Sequence, residues 1–323
     1  MKKTFVILSL FDGISSGQIV IDGIIPKGWK KLYYASEIEQ SAIKVTMHHF
    51  PDTKQLGNVV NIEKNMIPES VNLLIGGSPC TDFSNNGKKK GMITKDGIEI
   101  VSLEQYLELK KNKVEFYGES YLFWEFIRIW KIIKPKYFLL ENVRIPKTMK
   151  KWQDIISKEL GGVDPIPINS SLVSAQNRER LYWTNIPNVS IPDDENIKLS
   201  DIIPGALGCG ERGTYNKETG RWNIKKLTVR NDNKSNCIVT NVSGTQQITF
   251  KYIKNPTSSQ VKQLKKDNII RNLTADEAEK IQTLPLGYTK IDGITDIQRY
   301  KMIGNGWTPK IIFHIFKEIP ELV

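Results

Sequence analysis

Cysteine and histidine are scarce, with three of each in 323 residues. Cys80, Cys209 and Cys237 are too few and too scattered for a disulfide framework or a thiolate metal site. His48, His49 and His314 lack metal-ligand spacing, so no metal is expected. Such sparing cysteine use fits a reducing cytoplasm, the expected compartment. No apolar run reaches the ~18 residues a membrane span needs, so no membrane role is expected. The first eleven residues are a short apolar run behind two lysines, ending at Asp12 with no small-x-small cleavage site. They read as a buried first strand rather than a signal peptide. Internal repeats and low-complexity tracts are also missing.

What is present is ordinary for a folded chain: 39% hydrophobic and 25% charged residues. The length suffices for one large domain and a smaller one, each with its own core. Lys and Arg number 46 against 35 acids, a net charge of +11. That excess suits a polyanionic partner but does not identify one, since a lysine-rich proteome gives the same balance.

Residues 5–10, 32–35, 71–75 and 138–140 are short apolar runs that read as buried strands. Helical periodicity lies between them, at 17–25, 40–49 and 122–133. Strands separated by helices imply a parallel sheet covered on both faces, with ligands at the strands' carboxyl ends. After Asn185 the character changes. Residues 186–268 are rich in Gly, Asn, Thr and Lys, with weak alternation and no long helix, and only 224–229 and 237–240 read as strands. Helical periodicity returns at 274–283 and 309–317.

Two segments point to a nucleoside. Phe11-Asp12-Gly13-Ile14-Ser15-Ser16-Gly17 comes after the first strand, where a glycine turn brings backbone N–H groups toward a ligand. Glu37 ends the second strand, where an acid can accept both ribose hydroxyls. Alone, the first is a tight turn and the second a helix-start carboxylate. Chemistry-bearing residues come next. Cys80 closes the turn Gly76-Gly77-Ser78-Pro79-Cys80 at a strand end, exposed for attack or merely a small core residue. Glu141 emerges from the strand ending Leu140-Glu141-Asn142-Val143, where burial could hold it protonated as an acid. On an extended strand Gln176, Arg178 and Arg180 would share one face, suited to a polar ligand or to a salt-bridged edge.

Phe-x-Gly-x-x-x-Gly, Gly-Ser-Pro-Cys, Glu-Asn-Val, Gln-x-Arg-x-Arg, Arg271-x-Leu-Thr274 and Gly304-Asn305 occur in the order of the cytosine-C5 DNA methyltransferase motifs. The chain resembles that family over nearly its whole length outside the inserted segment. The wording of residues 8–13, 35–37 and 76–80, with Trp307, is most similar to the de novo class known from animals. The absence of reader domains resembles compact bacterial and phage members.

The resemblance implies an α/β fold: a mixed seven-stranded, Rossmann-like methyltransferase sheet with helices on both faces, plus a small irregular target recognition domain. It implies a catalytic domain at 1–186, target recognition at 187–268, and a return to the catalytic domain at 269–323. It implies S-adenosylmethionine (AdoMet) as donor, S-adenosylhomocysteine as product, and double-stranded DNA as substrate of a monomeric enzyme. Phe11, Gly13, Ile14, Gly17, Glu37, Ile38, Asn58, Val59, Leu122, Asn305 and Trp307 would surround AdoMet. Asn58 stands where the family usually has an aspartate for the adenine amino group; its amide oxygen can still accept that bond. Pro79, Cys80, Glu141, Arg178 and Arg180 would surround a flipped cytosine, with Cys80 attacking C6. Ser84, Lys88, Lys89, Lys90, Arg212, Arg221 and Arg230 would contact DNA. Residues 85–118 would form a mobile loop closing over the DNA, with a short helix in 102–112. A transfer-RNA cytosine methyltransferase is an alternative, but its Cys-Phe-Thr signature is absent: Gly210 succeeds Cys209 and Ile238 succeeds Cys237. A non-catalytic DNA-binding module is the other, expected to have lost the cysteine, the glutamate or the cofactor glycines, all of which are present.

Overall fold

The computed structural model describes residues 3–79, 82–83, 90–216, 221–240, 246–254 and 256–322. The chain packs as two compact units, the first Met1–Ile168, Glu179–Ile191 and Phe313–Val323, the second Asn169–Arg178 and Pro192–Ile312. Residues 269–312 belong to the second unit.

The first unit carries β1 (Thr4–Leu10), α1 (Ser16–Ile24), β2 (Lys30–Ser36), α2 (Gln40–His49), β3 (Lys54–Gln55), β4 (Leu73–Gly77), α3 (Leu103–Lys111), α4 (Phe123–Ile133), β5 (Tyr137–Val143), α5 (Lys150–Glu159), β6 (Ile166–Asn169) and β7 (Glu179–Thr184). The strands form one seven-stranded sheet in the order β3-β2-β1-β4-β5-β7-β6. β1 pairs in parallel with β2 and β4, and β4 with β5, whereas β5 and β7 run antiparallel. The mixed sheet expected from the resemblance is present. Successive residues of a strand point to opposite faces, and Phe5 to Leu10 are all buried, so both faces are covered. Trp124, Phe126, Leu140 and Trp183 belong to the core built on this sheet. The strand order reverses at β1, which opens a crevice at the carboxyl ends of β1, β2 and β4.

The second unit carries α6 (Leu199–Ile202), β8 (Leu207–Asn216), β9 (Arg221–Val229), β10 (Gln247–Thr249), α7 (Ser258–Lys266), β11 (Ile270–Asn272), α8 (Ala275–Gln282) and α9 (Asp296–Asn305). α10 (Pro309–Phe316) runs across the division. A four-stranded sheet has the order β11-β10-β8-β9 and is antiparallel throughout. The β8–β9 hairpin is longer than its polar sequence suggests, and α7 has no counterpart in the sequence reading. α7 starts with a capping box, Thr257 with Gln260, that satisfies its first free N–H groups. Residues 237–240, expected as a strand, join no sheet. Side chains take their backbone groups instead: Gln176 Oε1 accepts from Ile238 N, and Arg178 Nη1 donates to Ile238 O. No described helix is long and apolar enough to cross a membrane.

Candidate active site

Within the first unit the carboxyl ends of β1 and β2 build one cluster. Gly13 N donates to Glu37 Oε2 at 2.8 Å, and Ile38 N and Glu39 N donate to Oε1 at 2.7 and 2.8 Å. Phe11, Gly13 and Ser15 take φ values of 56°, 59° and 55°, coiling the chain so that Gly13 N–H faces the next strand. A Cβ on Gly13 would meet nothing within 4 Å, so the turn leaves open space above it. Ile38 is 65% exposed, an apolar surface beside the carboxylate. A carboxylate offers about four acceptor positions. Three are taken by backbone, and among the described residues the remaining one, on Oε2, is free for a sugar hydroxyl.

Ile14 and Gly17 are buried, Phe11 and Leu122 are half-buried, and Val59 is buried. Asn58 is exposed and caps a one-turn helix at Val59–Asn61, its Oδ1 accepting from Val60 N at 3.2 Å. Asp12, which the motif reading passes over, lies inside the glycine turn. Its carboxylate accepts from Tyr33 Oη at 2.8 Å and from Ser15 Oγ. Burial nevertheless pushes its pKa up to about 6; hydrogen bonds from Ser15, Ser9 and Tyr33 oppose the rise, and Glu37 adds a little to it.

The second cluster lies at the carboxyl ends of β4 and β5. Glu141 is buried, and Arg180 Nε on β7 lies 3.0 Å from its Oε1. The neighbouring Asn142 donates from Nδ2 to Ser78 Oγ at 3.1 Å and to Ser78 O at 3.4 Å, clamping the turn that carries Pro79. Cys80 lies outside the described residues, as do Ser84, Lys88 and Lys89. Asp82 Oδ2 accepts from Glu119 N and Ser120 N, both at 3.2 Å. Gly118, at φ 62°, must be glycine, because a Cβ there would come within 2.2 Å of that carboxylate. Phe83 is fully buried against Trp152. The chain is therefore anchored on both sides of residues 80–81, by Asn142 before and by Asp82 and Phe83 after.

Residues 91–118 correct the expectation of one mobile loop. Met92, Thr94 and Ile100 are fully buried, and α3 buries Leu103 and Tyr106 in the first unit's core. Lys90 is exposed, with its ammonium 4.5 Å from the Tyr117 ring centroid. A groove of about 460 Å³ is lined by Val60, Asn61, Glu63, Lys110, Lys111 and Arg128 among others, none of them an expected site residue.

In the second unit Arg178 is 3% exposed. Its guanidinium donates to Ile238 O, Gly304 O and Gly306 O at 3.1, 3.1 and 2.9 Å. β7 begins only at Glu179, so Gln176 and Arg178 precede the strand that carries Arg180 and do not share its face as an extended run would. Arg178 instead holds the turn around Asn305, which is exposed at the end of α9, two residues before the half-buried Trp307. Arg212 and Arg221 sit on the β8–β9 hairpin, opposite Lys226 and Asn216. Arg230 is bound internally, its Nε to Asp232 Oδ1 at 2.9 Å and Nη1 to Asn236 Oδ1 at 3.0 Å. Among the described residues no cluster of His, Cys, Asp or Glu could hold a metal ion.

The sequence profile of C-5 cytosine-specific DNA methylases matches residues 5–321. The chain belongs to that family. It is a DNA cytosine-C5 methyltransferase, and family and fold imply AdoMet as its methyl donor. Type II methyltransferase M1.ScrFI of Lactococcus lactis subsp. cremoris is 26% identical over 354 residues, spanning 100% of this chain and 80% of the relative. Type II methyltransferase M.HpaII of Haemophilus parainfluenzae is 24% identical over 353 residues, spanning 99% and 90%. The solved structure of the Entamoeba histolytica methyltransferase EhMeth superposes with a TM-score of 0.65 at 17% identity, covering 98% of each chain, a likeness of fold. The match is to the family as a whole. For this methylase, the open turn at Gly13, a pinned carboxylate with one free acceptor position and an exposed apolar Ile38 fit the ribose and base of a nucleoside cofactor.

Proposed function

We propose that this methylase transfers the methyl group to C5 of a cytosine flipped out of a specific duplex DNA sequence, through a covalent bond between Cys80 and C6. The Glu141–Arg180 pair beside the Ser78-Pro79 turn that leads into Cys80 carries this reading. Cytosine C5 is a poor nucleophile, and its face is inaccessible in a duplex. Addition of the Cys80 thiolate to C6 makes C5 enamine-like, while Glu141, fixed by Arg180, binds or protonates N3. AdoMet, when bound, would supply the electrophilic methyl group that C5 takes and would leave as S-adenosylhomocysteine; Glu37 would hold its ribose and Asn58 and Ile38 its base, with Phe11 and Gly13 beside them. The C5 proton then passes to solvent, its bonding pair forms the C5=C6 bond and expels Cys80 from C6 as thiolate, and any proton taken at N3 returns to Glu141, which restores the aromatic ring.

Residues 187–268, carrying Arg212 and Arg221, choose the sequence, as base-edge and phosphate contacts would. The type II names of the relatives favour a restriction-modification role. The test is transfer of labelled methyl from AdoMet to duplex DNA and to transfer RNA, with sequencing of the product. Covalent trapping on DNA containing 5-fluorocytosine is the second arm. Label on duplex DNA at one sequence, and loss of both transfer and trapping in Cys80→Ser, are expected. Trapping that persists in Cys80→Ser overturns the nucleophile assignment, and label confined to transfer RNA overturns the substrate.

A further inference from the structure

Glu125 on α4 is completely buried, yet it lies outside every motif assigned to the reaction. A buried carboxylate must be neutralised and hydrogen-bonded to be tolerated. Three side chains do this. Tyr106 Oη donates to Oε1 at 2.6 Å, Lys110 Nζ to Oε1 at 2.5 Å, and Arg128 Nε to Oε2 at 2.6 Å. Two of the three, Tyr106 and Lys110, come from α3, in the stretch that departs from the compact family pattern.

The two cations do more than neutralise Glu125. Arg128 Nη2 donates to Val59 O at 3.2 Å and Nη1 to Ile62 O at 2.9 Å, while Lys110 Nζ reaches Val60 O at 3.3 Å. All three carbonyls belong to the short turn capped by Asn58. That turn has little to hold it by itself: Asn61 N to Asn58 O at 3.0 Å, Ile62 N to Val59 O at 3.3 Å, and the Asn58 cap. A lone 3₁₀ turn has poor internal hydrogen-bond geometry. Its position is therefore set from outside, by the burial of Val59 and Ile62 in the core and by the two cations that Glu125 orients.

We propose that Glu125, through Lys110 and Arg128, positions the Asn58–Val59 turn and so sets the affinity for AdoMet, with α3 supplying one of the two arms. This rests on the reading that Asn58 and Val59 face the cofactor's base. The three residues are positioning residues. They touch the turn and are not assigned to the reacting atoms. Charge-assisted bonds of this kind are the strong ones, and Arg, with its fixed fork, is suited to bridging two carbonyls and a carboxylate at once.

The experiment uses the full chain. S-adenosylhomocysteine affinity is measured by calorimetry, together with KM for AdoMet, KM for DNA, kcat and Tm. The variants are Lys110→Met, Lys110→Arg, Arg128→Lys and Asn58→Ala. Lys110 has a side chain 36% exposed, so its replacement spares the core even where a Glu125 variant fails to fold. The expected result is a rise of about tenfold in KM for AdoMet and in the dissociation constant for Lys110→Met and Arg128→Lys, with kcat and KM for DNA unchanged. Lys110→Arg restores affinity, and Asn58→Ala added to Lys110→Met weakens binding by less than the product of the two single effects, as for residues acting through one turn. Unchanged affinity in Asn58→Ala removes the turn from the cofactor site, and the proposal falls with that reading. A loss in Asn58→Ala with none in Lys110→Met or Arg128→Lys overturns the positioning role alone. A fall in kcat and Tm with KM for AdoMet unchanged also overturns it, because it marks the network as fold support.

Discussion

Arg180 reaches Glu141 diagonally across the antiparallel β5–β7 junction, where Val143 stands opposite Arg180 and Glu141 opposite Tyr182. Diagonal neighbours on one face are within reach of long side chains. Arg180 thus fixes the glutamate by register rather than by chance. Glu141→Gln is expected to lower kcat by at least ~10²-fold, the scale of general acid catalysis. Arg180→Met is expected to be less stable than the double variant with Glu141→Gln, because a buried carboxylate deprived of its cation costs more than a neutral amide. Urea titrations of the three variants decide it, and a double variant no more stable than Arg180→Met contradicts the pairing.

Asn142 acts on the nucleophile's turn from the same strand. Removing its two contacts to Ser78 loosens the Ser78-Pro79 turn that leads into Cys80, without touching the cluster at Glu37. Asn142→Ala is expected to lower kcat about five- to tenfold, the scale of one or two hydrogen bonds, with S-adenosylhomocysteine affinity unchanged. Stopped-flow trapping on 5-fluorocytosine DNA measures the step directly. A normal trapping rate would show that the clamp is not needed for attack.

Asp12 gives a pH-dependent stability with a definite sign. Its folded pKa of about 6 lies above the ordinary 3.8, because burial outweighs the Ser15, Ser9 and Tyr33 hydrogen bonds. The folded state therefore holds this proton more tightly than the unfolded state. Its contribution to stability is full below the unfolded value and is lost as pH rises through about 6. Asp12→Asn removes that titration but keeps an acceptor for one hydroxyl. The Tm difference, variant minus wild type, is expected to grow from pH 4 to pH 7 and then level off. A difference that stays flat across this range would refute the burial argument.

The parts of this structure legible in the sequence are those fixed by local pattern. β1 and β5 announce themselves as unbroken apolar runs because both sheet faces are covered. The Gly13–Glu37 bond is the natural product of a strand-turn-helix unit beside a parallel neighbour. Arg178 escapes such reasoning because its partners, Ile238, Gly304 and Gly306, are 60 to 128 residues away and are backbone carbonyls, which leave no trace in residue type. Glu125 is invisible for a related reason: a carboxylate on an amphipathic helix looks solvated until Tyr106, Lys110 and Arg128 are seen to enclose it. β8 eludes the sequence because its residues are mostly polar or glycine, and α7 because it has only two apolar residues, Val261 and Leu264, to mark its buried side.

Arg212, Arg221 and Arg230 occupy different places on the β8–β9 hairpin. Arg230 has its Nε and both Nη atoms committed to Asp232 and Asn236, and Asn236 Nδ2 in turn donates to Cys209 O on β8. Releasing that guanidinium for a base edge would break several charge-assisted bonds, which base contacts would have to replace in full. Arg230 therefore supports the foot of the hairpin, whereas Arg212 and Arg221 lie farther out along the same two strands. Arg230→Ala is expected to lower Tm and to reduce methylation of all sites by a common factor. Arg212→Ala and Arg221→Ala are expected to leave Tm near wild type. A lost base contact costs about 1–3 kcal/mol at the position it reads, so these two should relax preference there by roughly 5- to 150-fold. Sequencing the products of limited methylation on a random-site DNA pool separates the cases. A relaxed motif from Arg230→Ala, with uniform losses from the other two, would reverse this assignment and place the recognition contact at the foot of the hairpin.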